Sequence, residues 1–118
     1  MSASPIVHFE IMGPDGAALK DFYSKLFDWK AEPVEGFNEY HMIDSDGVGL
    51  GGAVGQGNEE MPSYLTLYLE VPDINDHLER VGEAGGKTVV PRTEIPDMVT
   101  FALFADPAGN LVGLVESD

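Results

Sequence analysis

Two stretches of this 118-residue chain follow one plan, and that repetition constrains the fold more than any other feature. Asp44-Ser45-Asp46-Gly47-Val48-Gly49-Leu50-Gly51-Gly52-Ala53-Val54 reads as Asp, a turn, Gly, then an apolar strand containing Gly. Asp106-Pro107-Ala108-Gly109-Asn110-Leu111-Val112-Gly113-Leu114-Val115-Glu116 reads the same way. What precedes each stretch also matches. Pro5 to Met12 alternates as a strand, Gly13-Pro14 breaks it, and Asp15 is placed to cap a helix. Leu19, Phe22, Tyr23 and Leu26 recur at helical spacing, which predicts Phe22 and Tyr23 in a core. Short strands follow over 29–34, 39–43 and 48–54. In the second half Tyr64 to Val71 is a strand, Pro72-Asp73 a break, and Ile74, Leu78 and Val81 a helical stripe ending at Gly85-Gly86. Strands over 87–90, 99–104 and 111–115 complete it.

Each half therefore reads βαβββ, and the fold class is α+β: two tandem βαβββ modules in one domain spanning 1–118. Module one covers 5–54, a polar linker 55–63, and module two 64–116. A shift of 58 places His8 on Thr66 and Asp15 on Asp73, and a shift of 62 places Asp44 on Asp106 and Gly51 on Gly113. The residues from 91 to 98 read equally as a cover over a binding site or as a plain crossover.

Composition narrows the function classes. Twenty-one acidic against six basic residues give a formal charge of −15, which disfavours nucleic acid and anionic membrane as partners. Ordinary solubility explains such a surface more simply than adaptation to salt. Without Cys there are no disulfides, thiolate nucleophiles or zinc–thiolate sites. No apolar run approaches the ~18 residues of a membrane span, and the first residues lack the pattern of a signal peptide. A cytoplasmic protein is the expectation.

The ordered set of His8, Asp15, Phe22-Tyr23, Phe27-Asp28-Trp29, Gly85-Gly86-Lys87, Val89-Val90-Pro91, Glu94-Ile95-Pro96 and Asp106-Pro107-Ala108-Gly109-Asn110 resembles the vicinal oxygen chelate superfamily. That superfamily includes glyoxalase I, extradiol dioxygenases and bleomycin-resistance proteins. The resemblance implies a glyoxalase-like curved mixed sheet around a cleft, a small-molecule ligand within it, and a homodimer. In metal-using members each module gives one ligand from its first strand and one from its last. Residue matching places these four at His8, Gly51, Thr66 and Gly113, of which only His8 is a good ligand. Glu116 lies three residues beyond Gly113, an odd offset that turns it to the other face. Glu10 shares the face of His8, and Tyr68 and Glu70 share that of Thr66. Glu70 is two strand steps of ~6.6 Å from Thr66, too far to replace it.

The expected function is binding of a small organic molecule, with no cofactor and no metal. His8, Glu10, Thr66, Tyr68 and Glu70 are the candidate ligand-binding residues. A metal-dependent lyase, isomerase or dioxygenase is the alternative, with a divalent ion the less favoured cofactor, and no catalytic residue is assigned. For His8 a cavity contact, a general base and a satisfied sheet histidine all remain open. His41 has no settled face, and His77 belongs on a helix surface. Tyr68 reads as a ligand contact or as sheet packing, and Gly51-Gly52 as backbone space for a ligand or relief of a bend.

Overall fold

The computed structural model describes residues 3–117. They form two compact units: Val7–Thr66, and Leu67 onward together with the segment up to Ile6. The first unit holds most of β1 (Ile6–Gly13), then α1 (Gly16–Phe27), β2 (Ala31–Pro33), β3 (Tyr40–Ile43) and β4 (Gly52–Gln56). The second holds most of β5 (Tyr64–Val71), then α2 (Ile74–Glu83), β6 (Lys87–Ile95), β7 (Val99–Ala105) and β8 (Leu111–Glu116). Both are βαβββ, as the sequence predicts.

The strand orders match too. In the first unit the order is β2-β3-β4-β1, with β1 and β4 parallel and the other neighbours antiparallel. In the second it is β5-β8-β7-β6, with β5 and β8 parallel. Each helix is the crossover that a parallel pair requires.

Both helices start the same way. Asp15 Oδ1 accepts from the Ala18 amide at 3.1 Å, and Asp73 Oδ1 from the Asp76 amide at 3.1 Å. Each carboxylate thus satisfies an amide that has no partner inside its helix. Each helix is also tied to the last strand of its unit. The Gly16 amide donates to Gln56 Oε1 at 3.3 Å, and the Ile74 amide to Glu116 Oε2 at 3.0 Å.

These ties correct the internal alignment. In the first unit Ile11 pairs with Val54, and in the second Leu69 pairs with Leu114. A shift of 58 on the first strand therefore goes with 60, not 62, on the last. Gln56 is the counterpart of Glu116, and Ala53, not Gly51, is the counterpart of Gly113. The displacement is absorbed in the turn after β3, where Val48 and Leu50 lie outside any strand and β4 begins only at Gly52. The expected strand over 48–54 starts later and takes two residues from the expected linker.

Packing follows strand parity. Phe9, Ile43 and Val54 form the buried centre under α1, with Ile11, Leu19, Tyr23 and Trp29 against them. Burying each of the three contributes roughly 1.5–3 kcal/mol. Trp29 lies between Phe9 and Tyr23, with ring centroids 5.5 Å from each. Val71, Ile74, Ala102 and Leu114 form the corresponding centre under α2, joined by Leu69, Leu78 and Phe104. Phe22 departs from expectation: it is 54% exposed, because Leu19 and Tyr23 alone point down onto the strands. Residues 91–98, open between a cover and a plain crossover in the sequence, are largely strand. Residues up to Ile95 continue β6, an edge strand of its unit, whose irregular pairing around Val90 and Thr93 accommodates Pro91. Among the described residues no helix is long and apolar enough to cross a membrane.

Candidate functional site

The odd residues of β1 enter the core beneath α1, so His8, Glu10 and Met12 project from the opposite face. Glu10 is nearly buried, at 6% exposure. A carboxylate removed from water needs donors, and two phenols supply them. Tyr40 donates to Glu10 Oε2 at 2.6 Å, and Tyr64 donates to Glu10 Oε1 at 3.0 Å. His8 Nε2 lies 3.2 Å from the Tyr40 hydroxyl oxygen. The single phenolic proton goes to Glu10, so the imidazole is the donor in that contact and carries its proton on Nε2.

Tyr40 reaches Glu10 across an intervening strand. It stands on β3 opposite Gly55 of β4, and Gly55 stands opposite Met12 of β1. A Cβ at Gly55 would lie 2.6 Å from the Glu39 carbonyl oxygen and 3.2 Å from Tyr40 Cδ1. Glycine at this position leaves the space through which the ring crosses about two strand spacings of ~4.8 Å.

The electrostatics keep the hydroxyls protonated. Burial first, and then the charge of Glu10, push the Tyr40 phenol far above the ordinary tyrosine range. The Tyr64 phenol is raised for the same reasons in the same order. Both remain donors at every ordinary pH. Burial lowers His8 below the usual histidine value, against an opposing pull from Glu10. At neutral pH the imidazole and both phenols are thus uncharged.

Of the five residues expected to bind a ligand, His8 and Glu10 are brought together through Tyr40. Thr66 is buried at the end of the same unit. Tyr68 and Glu70 belong to the second unit. Tyr68 is 5% exposed there, with its ring lying where a Cβ of Gly113 would stand. Glu70 is half-buried opposite Val115, its amide donating to the Pro5 carbonyl at 3.0 Å. Glu116 faces α2: besides the Ile74 amide it holds Arg92 through two bonds of 2.8 and 3.1 Å. Arg92 and the amide together hold its carboxyl at about 2. His41 turns toward α1, buried, with Nε2 at 2.8 Å from Glu39 Oε2. His77 sits on the surface of α2 and donates through Nδ1 to the Asp73 carbonyl at 3.1 Å.

Tyr40 and Tyr64 were not among the residues singled out from the sequence. The available signal was parity: Tyr40 alternates with His41 and Ile43, and Tyr64 lies two residues before Thr66.

A divalent ion fits this donor set poorly. Among the described residues no group of three or more His, Cys, Asp or Glu side chains is arranged to hold a metal. Gly113 offers no side-chain donor, and its true counterpart Ala53 offers none either. Both Glu10 oxygens already accept phenol protons.

The chain is 32% identical over 117 residues to the anthracycline biosynthesis protein DnrV of Streptomyces peucetius, covering 86% of this chain and 42% of that protein. The figures against the anthracycline biosynthesis protein DauV of Streptomyces sp. (strain C5) are also 32% identity, 86% and 42%. The chain thus spans less than half the length of these curated relatives. Methylmalonyl-CoA epimerase from Mycobacterium tuberculosis superposes with a TM-score of 0.70 at 15% identity, covering 100% of this chain and 93% of that one, and so has the same fold. The family model for the Glyoxalase/Bleomycin resistance protein/Dioxygenase superfamily matches residues 5–114, and the chain belongs to that superfamily.

Proposed function

We propose that this protein binds a small organic molecule on the face of the Val7–Thr66 unit opposite α1, and that it does so without a divalent ion. The observation that carries this reading is the pair of phenol bonds to Glu10, at 2.6 and 3.0 Å. Each of those carboxylate oxygens already accepts a hydrogen bond from a tyrosine of this unit. Binding sites for small molecules combine apolar walls with a few placed polar groups. Here Met42 and Phe37 supply exposed apolar surface near His8, Tyr40, Glu10 and Tyr64.

Two measurements test the proposal. Protein prepared without a histidine tag and titrated with Ni, Zn, Mn and Fe is expected to take up no stoichiometric ion. One tight ion per chain would overturn the metal-free reading in favour of the metal-dependent one. Protein-observed NMR against a library of small aromatic and aliphatic molecules is expected to move the resonances of His8, Tyr40 and Tyr64. A library-wide absence of such shifts would overturn the binding reading.

A further inference from the structure

The face that carries Glu10 has a distinctive cross-strand row. Glu32 pairs with Met42, Met42 with Ala53, and Ala53 with Glu10, so all four project from the same side of the sheet. Two carboxylates thus stand at the ends of one row, with an exposed methionine between them. Phe37 lies beside Tyr40, ring centroids 5.5 Å apart, and is 38% exposed.

The lysines of this unit lie away from Tyr40. Residues 7–66 contain eleven acidic side chains and three basic ones, Lys20, Lys25 and Lys30. Lys20 and Lys25 ride on α1, which packs on the other face. Lys30 alternates with the core-facing Trp29 and Ala31 and so shares the side of Glu32, but it stands before β2, the edge strand furthest from β1. The basic group beside Tyr40 in this unit is the His8 imidazole, 3.2 Å from the hydroxyl and kept uncharged by burial, and no lysine stands there to neutralise an incoming anion.

Taking this face to be the ligand site, as proposed above, we infer that its ligand is an organic cation, a protonated or quaternary amine carrying an apolar body. The ammonium rests against the Tyr40 and Phe37 rings, whose faces are electron-rich. Donation of the Tyr40 hydroxyl to Glu10 at 2.6 Å adds electron density to that ring and sets an acceptor oxygen behind it. Met42 and the Phe37 edge cover the apolar body. The overall charge of −15 concentrates cations near the surface and turns anions away.

Three probes sharing one phenyl ring separate the charge requirement from binding itself: benzyltrimethylammonium, benzyl alcohol and benzoate. Isothermal titration at low salt, with NMR mapping of Tyr40 and Tyr64, is expected to show binding of the cation alone. Glu10→Gln should weaken it at least tenfold. Phe37→Ala, a change on the exposed rim that leaves the core intact, should weaken it about fivefold and serves if the Glu10 variant fails to fold. Benzyl alcohol or benzoate binding at these tyrosines as well as the cation would overturn the cation inference while leaving the site standing. No perturbation at Tyr40 or Tyr64 by any probe would overturn both.

Discussion

The two βαβββ units answer one structural problem in different ways. On the face away from the helix, the first strand of each unit must place a side chain beside the last strand. In the second unit that side chain is Tyr68, which fills the space left by Gly113. In the first unit the same position is Glu10, beside Ala53, and two phenols are drawn in to satisfy it. One unit closes this face with aromatic packing; the other furnishes it with polar groups. The helix ties differ in a parallel way, a neutral Gln56 in one unit and a charged Glu116 in the other. A duplicated frame thus carries a carboxyl group in only one copy of each of these positions.

The sharpest test of this contrast is at the aromatic side. Tyr68→Ala should cost about 3–5 kcal/mol in urea unfolding, the range for removing a large buried ring. Gly113→Ala should cost about 1–3 kcal/mol through overpacking, because the new methyl meets that ring. Tolerance of both changes would mean that Tyr68 is not the plug of its unit.

An intermediate effect is expected at the polar side. Tyr40→Phe removes the shorter bond to a nearly buried carboxylate and should cost about 1–3 kcal/mol, with Tyr64→Phe toward the lower end. Equal and negligible losses in denaturant melts would show that Glu10 is satisfied without them.

The smallest effect separates the helix ties by pH. The Glu116 carboxyl is depressed to about 2 in the fold from an ordinary value of 4.5. Its stabilisation is therefore fully present above the unfolded value and lost as pH falls from about 4.5 toward 2. Glu116→Gln should flatten that part of the acid limb, whereas Gln56→Glu should add a new dependence to the first unit. An acid limb unchanged in Glu116→Gln would remove the charged tie from the comparison.

Much of the frame was legible in the sequence because it is written in local chemistry. Asp15 and Asp73 announce helix starts, Gly and Pro mark the breaks, and β5 occupies the residues its alternation predicts. What stayed hidden depends on distant strands. The exposure of Phe22 reflects how wide a sheet α1 covers, which helical periodicity does not record. Pro91 reads as a loop residue until β6 proves to be an edge. The site was half visible: His8 and Glu10 follow from alternation on one strand. Tyr40 joins them only because Gly55, on a third segment, leaves its ring a path.

The alternation of β1 has one last consequence. Phe9 and Ile11 build the interior while His8 and Glu10 build the cluster, so sliding the strand by one residue would trade one set for the other. Misregistration cannot scatter the cluster quietly; it must also bring down the scaffold. Conversely, a substitution at an even position changes the cluster's face while leaving Phe9 and Ile11 in the interior.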